Sequence, residues 1–241
     1  MKAMILAAGL GTRLKPWTDH HPKALALVNG KSLLERNIGY LQHFGIKEVL
    51  VNVHHFADQI VAAVEKNNGW GSRITISDET DEVLETGGGL KKASDYFESE
   101  EDFVVMNVDI LTQLDLGAMI AQHLQQRPLA TLAVSNRNTS RYFLFDAEGS
   151  LKGWRNVNTG EEKPANISTT IAGLRQMAFS GIHVINAGLL KLISREGKFS
   201  MVDVYLDLCA DHQIKSYDHT GAVLVDVGKP ESILKAEQIF A

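Results

Sequence analysis

Apolar runs and helix-patterned stretches alternate through the first half of the chain, and that alternation restricts the fold more than any other feature. AMILAA at 3–8, EVLVNV at 48–53, RITIS at 73–77 and DFVVMNV at 102–108 read as strands. The spacing between them predicts helices over 32–44, 57–66 and 89–96. The first helix carries the clearest signal: Ser32 followed by Glu35 makes a capping box, and Leu33, Leu34, Ile38 and Leu41 recur at helical spacing. Strands apolar on both faces and separated by helices form a mostly parallel sheet covered on both sides. Right-handed crossovers bring the strand C-termini to one edge, where open α/β sheets bind ligands. The expected class is α/β, with a Rossmann-like central sheet flanked by helices.

The second half is less regular. TLAVS, YFLFD, LKGWRNV and GIHVIN read as strands with hairpin character, and helices are expected over 186–194, 202–212 and 231–240. This half is expected to add a mixed-sheet region that completes a second pocket. With no linker-like tract and no internal repeat, residues 1–241 are expected to form a single catalytic domain. The net charge of −5 leaves no basic footprint for nucleic acid or an anionic membrane, so neither is an expected partner. Any phosphate binding has to come from a few placed cations and backbone amides. The apolar start ends at Gly9 and is followed at once by Arg13 and Lys15, which suits a strand entering a loop better than a secretion signal. No apolar stretch approaches the ~20 residues of a membrane span, and the lone Cys209 fits a reducing compartment. The expected location is the cytoplasm. The sequence leaves the oligomeric state open.

LAAGLGTRLKP, at 6–16, places Gly9 and Gly11 directly after the first strand. Glycines there let the backbone approach a ligand with its N–H groups turned inward. The loop is not a P-loop, and Leu14 stands where a dinucleotide fingerprint needs its third glycine. Arg13, Lys15 and Lys23 supply cations suited to a triphosphate. A surface turn with solvated cations would account equally for any one of these residues alone. Asp109 closes the strand DFVVMNV and Asp226 lies in VLVDVG; two strand-end carboxylates can converge on one Mg²⁺, although each alone also suits a turn.

LAAGLGTRLKP, then PKAL, ETGGGL, an Asp closing a buried strand and DVG form an ordered pattern from Met1 to the last helix. This pattern resembles that of the sugar-1-phosphate nucleotidylyltransferases. ETGGG, VLVNVHHFADQI and the Asn before Val108 resemble the short bacterial members that act on N-acetylmuramate 1-phosphate. The resemblance implies a GT-A-like nucleotidyltransferase fold and transfer of a nucleoside monophosphate from an NTP to a sugar 1-phosphate. UTP with N-acetylmuramate 1-phosphate is implied. The alternatives are GTP with mannose or heptose 1-phosphate, or a regulatory relative that binds without catalysis.

The same resemblance implies site roles. Arg13 would contact the NTP phosphates, and Lys23 would neutralise charge between the reacting ones. Ala8, Gly9, Gly11, Thr12 and Asn107 would hold the nucleotide, while Gly87 and Gly88 would let a base-reading loop, SDETDEVLETGGG, approach it. Glu82 or Glu85 could accept from the base or be solvated loop acids. Asp109 and Asp226 would bind Mg²⁺, the implied cofactor. Gly181 would lie beside the sugar; Glu162 and Lys163 would contact it through an EKP element, or else sit in a solvated loop. Val108 replaces the glycine usual before the metal Asp and is expected to shift the strand end or narrow the ribose site. A glycosyltransferase would be expected to show a DxD motif where this chain has NVDIL.

Overall fold

Ser32 caps the first long helix as its spacing predicts, its hydroxyl accepting from the Glu35 amide at 3.1 Å. In the computed structural model, which describes residues 1–240, the first half runs β1 (Ala3–Leu6), β2 (Leu27–Val28), β3 (Lys31–Ser32), α1 (Leu33–His43), β4 (Glu48–Val53), α2 (Ala57–Lys66), β5 (Arg73–Asp78), α3 (Glu85–Lys92) and β6 (Asp102–Asn107). It continues through β7 (Ile110–Thr112), α4 (Leu116–Gln126), β8 (Ala130–Ser135), β9 (Arg141–Phe145), β10 (Leu151–Asn156), β11 (Glu162–Lys163), α5 (Ile167–Thr170) and β12 (Arg175–Asn186). α6 (Met201–Leu208), β13 (Ile214–Asp218), β14 (Leu224–Asp226) and α7 (Pro230–Ile239) complete it.

The parallel half of the sheet has the order β6-β1-β4-β5. β12 joins the antiparallel half to it, pairing with β6 through its C-terminal residues, with β8 on both sides of a bulge after Phe179, and with β9 through its first three residues. Alternation along β1 sends Ala3 and Ile5 into one core cluster and Met4 and Leu6 into the other, one on each side of the sheet. Each cluster draws on both halves of the chain. Val104 and Met106 share theirs with Val184 and Val225, and Phe103 and Val105 share theirs with Phe143 and Tyr205. The mostly parallel core with an added mixed-sheet region is thus as expected.

Besides short elements that were not expected, such as β7, α5, β13 and β14, three differences bear on the site and its surroundings. α4 was not anticipated, although Asp115 caps it by accepting from the Ala118 amide at 2.9 Å. Residues 187–192 form a 3-10 helix rather than an α-helix. α3 begins at Glu85, four residues before the predicted start, and so takes in the glycine run. Among the described residues no helix is long and apolar enough to cross a membrane.

Candidate active site

At the C-terminal edge of the parallel strands lies an open cleft of about 470 Å³. One wall is the loop from Ala8 to Thr12 with Lys23, Asn52 at the end of β4, and Asn107 and Asp109 at the end of β6. Val83, Glu85, Thr86, Lys198 and Ser200 form the other. The volume falls within the roughly 300–1,000 Å³ of small-molecule sites.

Gly11 is left-handed, and a Cβ there would stand 2.9 Å from Thr18 Cγ2 and 3.0 Å from Lys23 Cβ. Its missing side chain therefore lets the loop close over Lys23. Thr18 Oγ1 fixes the turn by donating to the Gly11 carbonyl at 3.0 Å. A Cβ on Gly9 would meet nothing within 4 Å, which leaves that stretch of backbone open to a ligand. Asn52 anchors the start of the loop: its Oδ1 accepts from the Ala7 amide at 2.7 Å and its Nδ2 donates to Glu79 at 2.8 Å. Glu79 is 1% exposed. Burial raises its pKa, against the pull of the Asn52 hydrogen bond and the nearby Leu84 amide, and its Oε2 has no partner of normal hydrogen-bond geometry.

The charges gather at the floor. Lys23 Nζ lies 2.6 Å from Asp109 Oδ2, with both side chains mostly buried. Pairing of β14 with β7 sets Asp226 opposite Ile110, and the Val227 amide donates to the Asp109 carbonyl at 2.8 Å, so two carboxylates over a hundred residues apart in sequence meet. Arg13 Nη2 approaches Asp226 Oδ1 at 3.9 Å, packed where a Cβ on Gly228 would stand. Partial burial raises the Asp226 pKa, and the charge of Asp109 raises it further; Arg13, Lys23 and Arg137 oppose the rise. Two mutually repelling carboxylates offer the hard oxygen donors Mg²⁺ takes. Among the described residues no cluster of three or more His, Cys, Asp or Glu is placed for a metal, so an ion here would complete its shell from substrate and water.

Of the residues expected from sequence, Ala8, Gly9, Gly11, Thr12, Lys23, Asn107 and Asp109 line the cleft, and Arg13 and Asp226 stand beside its floor. Others lie elsewhere. Gly87 and Gly88 are buried inside α3, where a Cβ would meet Phe199 at 2.5 Å and the Gly197 carbonyl at 2.3 Å. Their bareness lets the helix pack against residues 197–199, next to Thr86 of the cleft wall. Val108 is 1% exposed and packs in the core, its carbonyl accepting from Asn37, so it does not narrow the cleft.

Gly181 sits left-handed at the bulge of β12 with Asn107 Nδ2 2.7 Å from where its Cβ would be, behind the cleft wall. Glu162 accepts from Arg155 and Ser168, and Lys163 Nζ lies 3.5 Å from Asp203, so both side chains are engaged within the protein. Glu85 lines the cleft and faces Lys198 at 3.7 Å, whereas Glu82 does not line it. Sequence reasoning missed Asn52, Lys198 and Ser200, and reached Thr86 only as an unnamed part of the segment SDETDEVLETGGG. Asn52, the one polar residue inside EVLVNV, was visible by the logic applied to Asp109; the others carry no local signal.

Residues 2–241 match the nucleotidyl transferase family. The chain is 31% identical to an N-acetylmuramate alpha-1-phosphate uridylyltransferase of Caulobacter vibrioides, over 99% of this chain and 96% of that one. It is 27% identical to a mannose-1-phosphate guanyltransferase of Yarrowia lipolytica, over 100% of this chain and 64% of the relative. Among solved structures, HddC of Yersinia pseudotuberculosis in complex with GMP-PN superposes with a TM-score of 0.77 at 26% identity, covering 100% and 99% of the two chains. The chain belongs to the nucleotidyl transferase family, and the expectation of a sugar-1-phosphate nucleotidylyltransferase is met.

Proposed function

We propose that this enzyme transfers UMP from UTP to N-acetylmuramate 1-phosphate. The observation that carries the choice of substrates is the likeness to the Caulobacter enzyme along nearly the full length of both chains. In this reading the triphosphate lies along the Gly9–Gly11 backbone, where main-chain N–H groups and neighbouring cations suit an anion. The acceptor's phosphate oxygen attacks the α-phosphorus, a P–O bond forms, and the bridging P–O bond to the β-phosphate breaks. Its electron pair leaves with pyrophosphate.

The 2.6 Å pairing with Asp109 supports a role for Lys23 as a charge in place before the substrate arrives. Arg13 would take the outer phosphates. Asp109 and Asp226 would hold Mg²⁺, which supplies positive charge over the phosphates and fixes their orientation. No covalent enzyme intermediate is needed, so rate comes from positioning and charge.

A second reading, GTP with a mannose or heptose 1-phosphate, is favoured by the likeness to the Yarrowia guanyltransferase and to HddC bound to GMP-PN. A panel of four NTPs against several sugar 1-phosphates, scored by pyrophosphate release with Mg²⁺, separates the two. Highest kcat/KM for UTP with N-acetylmuramate 1-phosphate is expected. Preference for GTP would replace it with the second reading.

A further inference from the structure

Beside the nucleotide cleft lies a smaller cavity of about 170 Å³, walled by Arg137, Tyr142, Trp154, Phe179 and Val202 among others. It adjoins the cleft in two places. Val202, at the start of α6, is two residues beyond Ser200 of the cleft wall. Phe179 is two residues before Gly181, whose bare α-carbon abuts Asn107 of the same wall. The cavity is smaller than the roughly 300–1,000 Å³ of a complete ligand site, a size that suits a subsite rather than a whole site.

Arg137 is held in place yet unsatisfied. Its Nη2 donates to the Phe179 carbonyl at 2.7 Å, while its Nε is buried without a hydrogen-bond partner. A buried donor on a fixed guanidinium is costly unless something accepts from it. Among the described residues Arg137 has no carboxylate partner, though it lies close enough to Asp226 for its charge to favour that carboxylate. The planar fork of donors matches phosphate and carboxylate oxygens. Trp154, Tyr142 and Phe179 provide aromatic surface against which the apolar face of a sugar ring can lie.

We infer that Arg137 binds an oxyanion of the acceptor sugar in this cavity, with the ring set against Trp154 and Tyr142. The inference rests on the nucleotidyl-transfer reading and names the acceptor side of that site, which the EKP element was expected to supply. The oxyanion has two possible sources, the phosphate on C1 or the carboxylate of a sugar acid.

Equilibrium titration, with a non-hydrolysable UTP analogue and Mg²⁺ present, tests the inference without reading turnover. Wild type, R137Q and R137K are titrated with N-acetylmuramate 1-phosphate, N-acetylglucosamine 1-phosphate and N-acetylmuramate. R137Q is expected to bind the acceptor about tenfold to a hundredfold more weakly, with affinity for the UTP analogue and Tm unchanged. Weakening with both 1-phosphates assigns the phosphate to Arg137; weakening only with the two carboxylate-bearing ligands assigns the carboxylate. R137K, which keeps a donor for the Phe179 carbonyl, decides the matter if R137Q unfolds, and it too is expected to bind the acceptor more weakly. Acceptor binding equal to wild type, an equal loss of UTP-analogue affinity, or a wild-type chain that binds none of the three overturns the inference. Failure of the transfer reading would appear separately, as no pyrophosphate release from any NTP.

Discussion

Lys23 and Asp109 form a buried ion pair at the floor of the cleft, and such a pair contributes little net stability while fixing where each charge stands. Lys23→Ala is therefore expected to lower kcat by about 10²–10³-fold, as loss of one preorganised charge does, with a smaller effect on KM for the NTP. Steady-state kinetics beside a far-UV CD spectrum check this; near wild-type turnover in a folded variant would remove Lys23 from the chemistry. Glu79 behaves differently because its carboxylate is buried with one oxygen unpartnered. Its folded pKa is raised above the unfolded one, so between the two values the native state binds more protons and stability falls as pH rises. Gln at 79 keeps the acceptor for Asn52 but does not titrate, and any misfit with the Leu84 amide is the same at every pH. The Tm of Glu79→Gln minus that of wild type should thus grow as pH climbs from the ordinary carboxylate value through the raised one, then level off. A difference that stays flat between about pH 4 and 8 would show that Glu79 carries no such shift.

α3 shows why part of the fold escaped the sequence. Gly is among the poorest helix formers, so a run of three reads largely as a loop, and the sequence pattern starts the helix only at the last of them, Gly89. Close packing of that run on Phe199 and Gly197 outweighs the propensity, and only the assembled structure supplies that contact. α1 was legible to within a residue because cap and period agreed, and α2, which no side chain caps, was legible from its apolar period alone. α4 carries the same kind of signal, in Asp115 as its cap and in the spacing of Leu116, Met119 and His123. Two glycines make the contrast measurable. A Cβ on Gly88 would sit 2.3 Å from a backbone oxygen, so Gly88→Ala must push α3 off the 197–199 segment, at a cost of about 1–3 kcal/mol. Because Thr86 and Ser200 face the cleft from either side of that junction, nucleotide affinity should fall as well. Gly39, exposed within α1 with nothing within 4 Å of its Cβ position, should instead stabilise on change to Ala by roughly 0.5–1 kcal/mol. Urea titrations of both variants with a nucleotide titration of the first decide it; a Gly88→Ala chain as stable and as tight-binding as wild type would mean that α3 slides freely.

Across the whole molecule, the nucleotide side of the site was readable because its parts are local: a strand, a glycine turn, two cations and a strand-end Asp within one parallel sheet. The acceptor side was not, since Arg137, Trp154, Phe179 and Val202 come from separate elements of the second half that meet only when β12 pairs with β8 and β9. That strand also bears on how the molecule unfolds. β12 shares one ladder with β6 of the first half and others with β8 and β9, and each core cluster mixes residues of both halves. Neither half can lose its packing while the other keeps a closed core, so residues 1–241 should unfold as one cooperative unit, the behaviour of a single domain. The three tryptophans allow a direct test: Trp17 and Trp70 pack against the cluster on one side of the sheet and Trp154 against the other. In variants that retain only Trp17 or only Trp154, the rest being Phe, the fluorescence transition in urea should coincide with the loss of far-UV CD in the same variant. If the Trp154 signal changed at a lower urea concentration than the CD, the antiparallel half would be a separate unit, and β12 would be a junction between two cores rather than the spine of one.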